Sequence, residues 1–193
     1  NGRNINWDMK RLEGYRNFCN KIWNASRFVL MNVNERKPLN TAELELSDKW
    51  ILTGLQDTIA DATAHMEEGD FGLAVNKIYE FAWYSFCDWY IEMAKSRLNG
   101  EDQNAKDTVS AVLLYVLEAL LKLLHPFMPF LTEKVWSYLP GSKGFLMLAD
   151  WPTVKEEYCF AAEESRMQGI MEVVRSIRNL RSEMNVAAGK RTR

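Results

Sequence analysis

Apolar residues return every three or four positions along almost the whole chain, and this period limits the fold more than any other feature of the sequence. An α-helix has 3.6 residues per turn, so this spacing places apolar side chains on one helical face, whereas a half-buried strand needs strict alternation. A hydrophobic share of 47% with 10 Gly and 5 Pro is typical of a compact globular domain. The sequence therefore predicts an all-α helical bundle that forms one domain over residues 1–184.

Breaks in the apolar period divide the chain into successive helices. Ser47 or Asp48 is predicted to cap the second helix, and Asp70 the third. Pro126 and Pro129 are predicted to break the chain after the fourth, because proline lacks an N–H donor and disfavours helical geometry in the residue before it. The predicted helices run from about Trp7 to Leu30, Trp50 to Met66, Phe71 to Leu98, Gln103 to Leu124, Glu133 to Tyr138 and Ala161 to Met184.

Residues 140–160 interrupt the helical pattern, and a polar tail follows the last helix. Two prolines and two glycines surround a short apolar FLML stretch in this segment, which predicts an irregular connection or a short hairpin. The tail at 185–193 has no apolar face, so we expect it to be a linker. The helix before the tail is predicted to be amphipathic through Ile170, Val173, Val174, Ile177, Leu180 and Met184.

The stretch RNFCNKIWNASRFVLMN at 16–32 belongs to a first helix with two distinct faces. At about 100° per residue, one set of side chains falls on a single apolar face that is predicted to join the core. This core stripe consists of Leu12, Tyr15, Cys19, Ile22, Ser26 and Val29, with Phe18 and Trp23 beside it. The opposite side carries a polar row of Lys10, Asn17, Lys21, Asn24 and Phe28, flanked by Arg16, Asn20 and Arg27.

The polar row combines the side-chain types that recognise unpaired nucleotides. Lysines bind phosphates, asparagine amides offer a donor and an acceptor to a base edge, and an exposed aromatic ring is a stacking platform for a base. The alternative is that Phe28 packs against a neighbouring helix while the polar residues form ordinary surface. Helical periodicity alone does not decide between the two.

Basic residues are concentrated at the two ends of a chain whose net charge is −2. Residues 1–37 hold eight Lys and Arg against three Asp and Glu, and residues 166–193 hold seven against two. Local charge on one face governs phosphate affinity more than net charge does. Chance and ordinary solvated helix faces are the alternative explanation.

No membrane or secretory segment is predicted. The most apolar stretch, at 111–124, is interrupted by Glu118 and Lys122 and is shorter than the roughly 20 residues that a spanning helix needs. It is therefore predicted to be a buried helix. The sequence does not begin with a charged segment followed by an apolar one, which is the pattern of a secretory leader. We therefore expect a cytoplasmic location.

Catalytic and metal-binding constellations are missing from the sequence. The two histidines, His65 and His125, have no partners at metal-ligand or triad spacing, and no glycine-rich phosphate loop occurs. Three distant cysteines, Cys19, Cys87 and Cys159, are predicted to be reduced thiols in the core. We therefore expect no catalytic residue, metal site or cofactor in this chain.

Several stretches resemble one family of enzymes. RNFCNKIWNASRFVLMN, SDKWIL, YEFAWYSFCDWYIE, HPFMPFLTEKVW and IRNLRSEMNV are similar, in this order, to the anticodon-binding region of bacterial valyl-tRNA synthetases. The HPFMPFLTEKVW stretch is shared with the leucyl and isoleucyl enzymes, whereas RNFCNKIWNASRFV and FCDWYIE are more specific to the valyl enzymes. The family's HIGH and KMSKS signatures of the ATP site do not occur here.

The resemblance implies a role in binding tRNA(Val) within a longer class I synthetase. Valine codons begin with G-U, so the family reads an anticodon with A in the middle and C at the end. Such a parent enzyme uses ATP and Mg²⁺, whereas this chain alone is predicted to catalyse neither step of the reaction. The expected partners are the anticodon loop and the catalytic and editing domains of the parent chain, and neither DNA nor a membrane is expected.

The resemblance also implies roles for particular residues. Phe28 is expected to stack on an anticodon base. Arg175, Arg178 and Arg181 of the last helix are expected either beside the tRNA or in contact with other domains. The alternative is that they are surface residues or form interdomain ion pairs. The candidates for phosphate and base-edge contacts, assigned by helical geometry, are Lys10, Asn17, Lys21, Asn24 and Arg27.

Two alternatives stay open at this point. One is the same module from an isoleucyl- or leucyl-tRNA synthetase. The other is a helical protein-interaction scaffold in which Phe28 belongs to a groove for a partner protein.

Overall fold

The computed structural model describes residues 8–186 and 190, apart from the side chains of Lys10 and Arg11. No strand occurs in this described part, so the prediction of an all-α helical bundle is confirmed. The expected linker at 185–193 lies largely outside it. The helices are α1 (Met9–Asn32), α2 (Leu46–Glu67), α3 (Phe71–Glu80), α4 (Ile91–Leu98), α5 (Gln103–Leu124), α6 (Pro129–Trp136) and α7 (Ala161–Glu183).

Two helices begin earlier than the sequence predicted. Helix α2 starts at Leu46 with Glu45 as its N-cap, so neither Ser47 nor Asp48 is the cap. The Asp48 side chain instead accepts a hydrogen bond of 3.0 Å from the backbone N–H of Glu45. Helix α6 starts at Pro129 rather than at Glu133. Proline suits a first helical position, where its missing N–H is not needed, so it opens this helix.

Helices α3 and α4 are joined without a break by a π-helical segment, Phe81–Tyr90. The predicted single helix up to Leu98 is therefore continuous but changes its hydrogen-bonding pattern in the middle. Phe18 of α1 packs 4.7 Å from Tyr79 between ring centroids, and Tyr79 lies 5.6 Å from Trp83. This aromatic cluster fixes α1 against the π-helical segment, which positions the candidate site described below.

Helix α5 runs through the centre of the bundle and is buried along most of its length. It packs against α1, α2, α3, α4 and α6, which explains why its apolar residues cover more than one face. The prediction of a buried helix for this stretch is confirmed. Within the described residues, no helix is both long enough and apolar enough to cross a membrane.

Asp48 is fully buried at the start of α2 and links that helix to α4. Its carboxylate accepts a hydrogen bond of 2.6 Å from the Tyr90 hydroxyl and two from the Arg97 guanidinium, of which the one to Oδ2 is 2.7 Å. Burial, with the Asp48 carboxylate as the next cause, raises the pKa of Tyr90 well above its ordinary value. Because a buried carboxylate needs such partners, the three side chains hold the two helices together.

The connection between α6 and α7 is irregular, with two short 3₁₀ turns at Leu146–Leu148 and Glu156–Tyr158, and contains no hairpin. Several of its polar groups bond to side chains of α2. The Trp151 indole donates to Thr63 Oγ1 at 2.9 Å, and the backbone N–H of Lys155 donates to Gln56 Oε1 at 2.8 Å. Gln56 thus satisfies a backbone donor that a hairpin would have paired across its strands.

The apolar face predicted for the last helix is not buried. Helix α7 packs against α2 through Met167 and Met171, and no residue of α7 beyond Met171 is buried. The predicted period is correct, but no described residue buries this apolar face in the C-terminal half of the helix, where Arg175 and Arg178 contact the Trp89 ring instead. The predicted face remains exposed or half-buried, through Ile170, Val173, Val174, Ile177, Leu180 and Met184.

The core stripe of α1 is correct only in its second part. Phe18, Ile22 and Val29 are buried, whereas Leu12 and Tyr15 are exposed. Trp23, which was predicted to lie beside the stripe in the core, is also exposed. These residues share one face of α1 as predicted, but only the part of the helix from Phe18 onward packs against the aromatic cluster and α5.

Candidate nucleic-acid interface

A groove with a volume of about 510 Å³ lies between α1 and the helix formed by the π-helical segment and α4. We call it the α1/α4 groove. One wall comes from α1 and the other from the continuous helix that contains the π-helical segment and α4. The wall from α1 consists of Asn17, Asn20, Lys21, Asn24, Ala25 and Phe28, and the opposite wall of Cys87, Asp88, Ile91, Glu92 and Lys95.

Lys21 crosses the groove and contacts the opposite wall. Its Nζ lies 2.5 Å from Asp88 Oδ1 and 3.8 Å from the centroid of the Trp83 ring. The Lys21 side chain is 23% exposed and that of Asp88 is 44% exposed, so the pair lies within reach of solvent. The Lys21 ammonium is therefore accessible to an anion from solution.

Phe28 lies at one end of the α1/α4 groove and is half-buried against the core. Lys95 from the opposite wall places its Nζ 5.7 Å from the centroid of the Phe28 ring and 2.6 Å from Glu92 Oε1. The packing of Phe28 against a neighbouring helix, the alternative raised from the sequence, therefore occurs in part. The ring also lines the groove, so it is available to a flat ligand.

The remaining predicted residues of the first helix do not all lie in the groove. Asn17 and Asn24 are exposed and line it, which places their amides along the same wall as Lys21. Arg27 is exposed but does not line the groove. Lys10 lies in α1, but its side chain is outside the described residues.

The opposite wall contributes functional groups that the sequence did not reveal. Asp88, Glu92 and Lys95 bring two carboxylates and an ammonium to face the amides of α1. With Lys21 they give the groove no net formal charge. Such a site offers both donors and acceptors, which suits recognition of base edges more than simple attraction of phosphates. The spacing of the three residues shows that they share a helical face, but no signal in the sequence pairs that face with α1.

The arginines of α7 lie on a separate surface. The guanidinium carbons of Arg175 and Arg178 lie 5.7 Å and 5.3 Å from the centroid of the Trp89 ring. Arg181 donates a hydrogen bond of 2.7 Å to the backbone carbonyl of Lys190. Two of the three arginines thus have an aromatic partner within the bundle, at the range of a cation–π contact.

The histidines and cysteines have varied surroundings. His125 Nδ1 lies 2.9 Å from Thr132 Oγ1, which ties the end of α5 to α6. His65, Glu68 and Asp70 place possible metal-ligand atoms within 4.8 Å of one another, a cluster that the sequence analysis did not foresee. Its two acidic residues are exposed, as such groups commonly are without an ion.

Of the three thiols, one departs from the predicted core location. Cys159 is exposed, whereas Cys19 and Cys87 are half-buried, and all three are free thiols. Burial raises the pKa of the Cys87 thiol to about 12. Cys87 lines the α1/α4 groove, so its thiol reports on access to that surface.

Comparison with known proteins identifies close relatives over nearly the whole chain. Residues 48–193 match the family model described as "Anticodon-binding domain of tRNA ligase". The chain is 46% identical over 193 residues to the valine--tRNA ligase of Bacillus cereus (strain ATCC 10987 / NRS 248), which covers 98% of this chain and 22% of that protein. It is 46% identical over 187 residues to the valine--tRNA ligase of Fervidobacterium nodosum, with 96% and 21% covered.

Among solved structures, the bundle is similar to the LeuRS in the ternary complex LeuRS-tRNA-LeuAMS of Agrobacterium radiobacter K84 agnB2. The TM-score is 0.59 at 23% sequence identity, and the match covers 81% of this chain and 18% of that one. At this identity the match concerns the fold. The chain spans about a fifth of the length of the curated relatives that it matches.

Proposed function

We propose, for a chain that belongs to the family of anticodon-binding domains of tRNA ligases, that the α1/α4 groove holds unpaired bases of a tRNA anticodon loop. The observation that carries this proposal is the position of Phe28. Its ring lines an open groove whose walls carry the amides of Asn17 and Asn24. Bases of a loop are splayed out and accessible, unlike those of an A-form stem, so they can enter such a groove and stack.

The two carboxylates of the opposite wall fit the proposed bases. Adenine and cytosine each carry an exocyclic amino group, and a carboxylate is an acceptor for such a group. The valine anticodon ends with these two bases. We therefore assign Asp88 and Glu92 to reading amino groups, while Lys21 and Lys95 provide the positive charge for the adjacent phosphates.

The longer protein in which this module acts is proposed to be a valine--tRNA ligase, as its relatives are named. In that role it would recognise tRNA(Val) for an ATP- and Mg²⁺-dependent esterification in the cytoplasm, with the reaction carried out by other domains. Arg175 and Arg178 are proposed as secondary contacts to the tRNA or to those domains, together with Arg181. Lys10 and Arg27 remain candidates for contacts with phosphates that flank the groove.

The test is the binding of the chain to an RNA hairpin that carries the anticodon loop of tRNA(Val), measured over a series of salt concentrations. Phosphate contacts make the affinity fall as salt rises, with a slope of about −0.7 per contact for a single strand. A hairpin with the two last anticodon bases changed to uracil, which lacks an exocyclic amino group, should bind more weakly at every salt concentration. Equal affinity for the two hairpins, or binding without salt dependence, contradicts the proposal.

A further inference from the structure

A second pocket continues the line of the α1/α4 groove beyond Phe28. Asn32 follows Phe28 by one turn of α1, and Leu98 follows Lys95 by about one turn of α4; both line this second pocket. Asn32 Nδ2 donates to the Phe28 carbonyl oxygen at 2.7 Å, which fixes the orientation of the Asn32 amide one turn beyond Phe28. We call it the distal pocket, and its lining includes Asn32, Asn34, Lys37, Leu98, Gln103 and Lys106.

The charged groups of the distal pocket are paired with one exception. Lys37 Nζ lies 2.5 Å from Asp107 Oδ2 and 3.4 Å from Glu35 Oε1, so one ammonium serves both carboxylates of the pocket. The hydrogen bond from Lys37 is the main cause that lowers the pKa of Asp107. Lys106 forms no ion pair with any residue that the structure describes, so its charge is free to meet an anion.

The neutral groups of the distal pocket leave acceptors unused. Gln103 donates from Nε2 to Asp107 Oδ1 at 2.7 Å, which orders its amide and leaves the carbonyl oxygen without a described donor. Asn32 likewise uses its Nδ2 for the backbone of Phe28 and keeps its carbonyl oxygen. Leu98 adds an apolar side chain to the same pocket. An ammonium, amide oxygens and an apolar side chain in one polar pocket match the phosphate, edge and face of a single nucleotide.

The geometry of α1 determines the distance between the two sites. The step from Phe28 to Asn32 is about 6 Å along the helix axis, at 1.5 Å per residue. Neighbouring nucleotides of an extended single strand can occupy positions at this interval. The whole wall from Asn17 to Asn32 extends over about 22 Å, enough for several such nucleotides.

We propose that the distal pocket binds the unpaired ribonucleotide next to the one that stacks on Phe28, with Lys106 on its phosphate and Gln103 on its base. This inference rests on the proposed function, since it takes the strand in the α1/α4 groove to be RNA. It adds a nucleotide subsite formed by α1, α4 and the first turns of α5. The loop would then be read over a longer stretch than the bases that contact Phe28.

The test compares Lys106→Ala with Lys143→Ala, which removes an exposed lysine that lines neither pocket. Each variant is titrated with the anticodon-loop hairpin over a salt series. Loss of one single-strand phosphate contact should reduce the salt slope by about 0.7, which corresponds to about fourfold weaker binding at 0.15 M salt. We expect this loss for Lys106→Ala and no change for Lys143→Ala.

A second measurement locates the nucleotide. Each loop base is replaced in turn by an abasic site, and the loss in affinity is measured for the unchanged chain, for Gln103→Ala and for Phe28→Leu. In Gln103→Ala, we expect one abasic position to cause no further loss in affinity, because the contact to that base is already missing. In Phe28→Leu, the abasic position without further loss should be the neighbouring one.

The outcomes separate the inference from the function on which it rests. If Lys106→Ala binds the hairpin with the affinity and salt slope of the unchanged chain while Phe28→Leu binds it more weakly, the distal subsite is overturned. The proposal for the α1/α4 groove then stands. Hairpin affinity that is unchanged in both variants overturns the proposed function as well. An abasic position coupled to Gln103 that is not adjacent to the one coupled to Phe28 also overturns the subsite.

Discussion

Lys21 of α1 and Asp88 of the π-helical segment face each other across the α1/α4 groove, with Nζ and Oδ1 2.5 Å apart. The two residues are 67 positions apart in the sequence and meet because the aromatic cluster of Phe18, Tyr79 and Trp83 fixes their helices together. In the structure, each residue neutralises the charge of the other. A ligand that offers a phosphate to Lys21 and an amino group to Asp88 replaces both halves of this pair at once.

Asp88→Asn should reduce the selectivity of the groove. The change removes the negative charge that opposes Lys21, so affinity for hairpins with altered loops should rise and its salt dependence should become steeper by about 0.7. Asp61→Asn is the matched control, because Asp61 pairs with Lys77 at 2.9 Å outside the groove. Filter binding of cognate and altered hairpins measures both effects. If Asp88→Asn lowers the affinity for altered hairpins and Asp61→Asn does not, the role assigned to Asp88 is contradicted.

Asp48→Ala should destabilise the bundle by about 3–5 kcal/mol, because it removes the buried acceptor of Tyr90 and leaves the Arg97 guanidinium with only a longer ion pair of 3.7 Å to Glu45. Asp61→Ala removes a carboxylate from the same helix, but its ion pair with Lys77 is about half exposed, so the cost should stay below about 1 kcal/mol. Urea denaturation followed by circular dichroism gives the free energy of unfolding for both variants. Similar costs for the two changes contradict a linking role for Asp48.

The helices were predictable because their signal is local, whereas their partners were not. The bounds of α5 agree with the prediction, since an apolar period of 3.6 residues needs no knowledge of the neighbours. The same local signal predicted an apolar face at Ile177 and Leu180, yet both are exposed because no described element buries them. The π-helical segment also escaped prediction, since aromatic residues spread around a helix do not reveal a change in hydrogen bonding.

The candidate site was likewise predictable only in part. Helical angles placed Asn17, Asn24 and Phe28 on one row of α1, and the structure lines the α1/α4 groove with them. The opposite wall with Glu92 and Lys95 depends on tertiary packing, which no spacing within α1 encodes. The degree to which Phe28 is buried also depends on that packing, and for this reason periodicity left its environment undecided.

Two substitutions in α7 test the observed orientation of that helix. Met171→Ala should cost about 2–5 kcal/mol, since the Met171 side chain is 6% exposed against the core. Ile177→Ala should change stability by no more than about 0.5 kcal/mol in the isolated chain, because Ile177 is 53% exposed. Urea denaturation of both variants decides the point. A larger cost for Ile177→Ala than for Met171→Ala would show that the face predicted from the sequence is the buried one.

The three thiols should differ in their reaction with iodoacetamide at pH 8. With a pKa raised to about 12 by burial, Cys87 is ionised in only about one molecule in ten thousand at this pH, so it should react last. Exposed Cys159 should react before it, although burial also raises the pKa of that thiol. Mass spectrometry of tryptic peptides over time measures the order, with Cys159→Ser as the control. Because the thiolate is the reactive form, raising the pH should accelerate the reaction of Cys87, and faster labelling of Cys87 than of Cys159 at pH 8 contradicts its described environment.

The most direct test of the central claim is the affinity of Phe28→Leu for the anticodon-loop hairpin, with unfolding measured on the same sample. Leucine keeps an apolar side chain against the core but removes the ring, so the fold should be retained while a base loses its stacking platform. Binding of the hairpin with the valine anticodon should weaken by about 1–3 kcal/mol, the range for one base–aromatic stack, and its advantage over an altered loop should shrink. Unchanged affinity and unchanged selectivity in a folded Phe28→Leu would contradict the claim that the α1/α4 groove reads the anticodon.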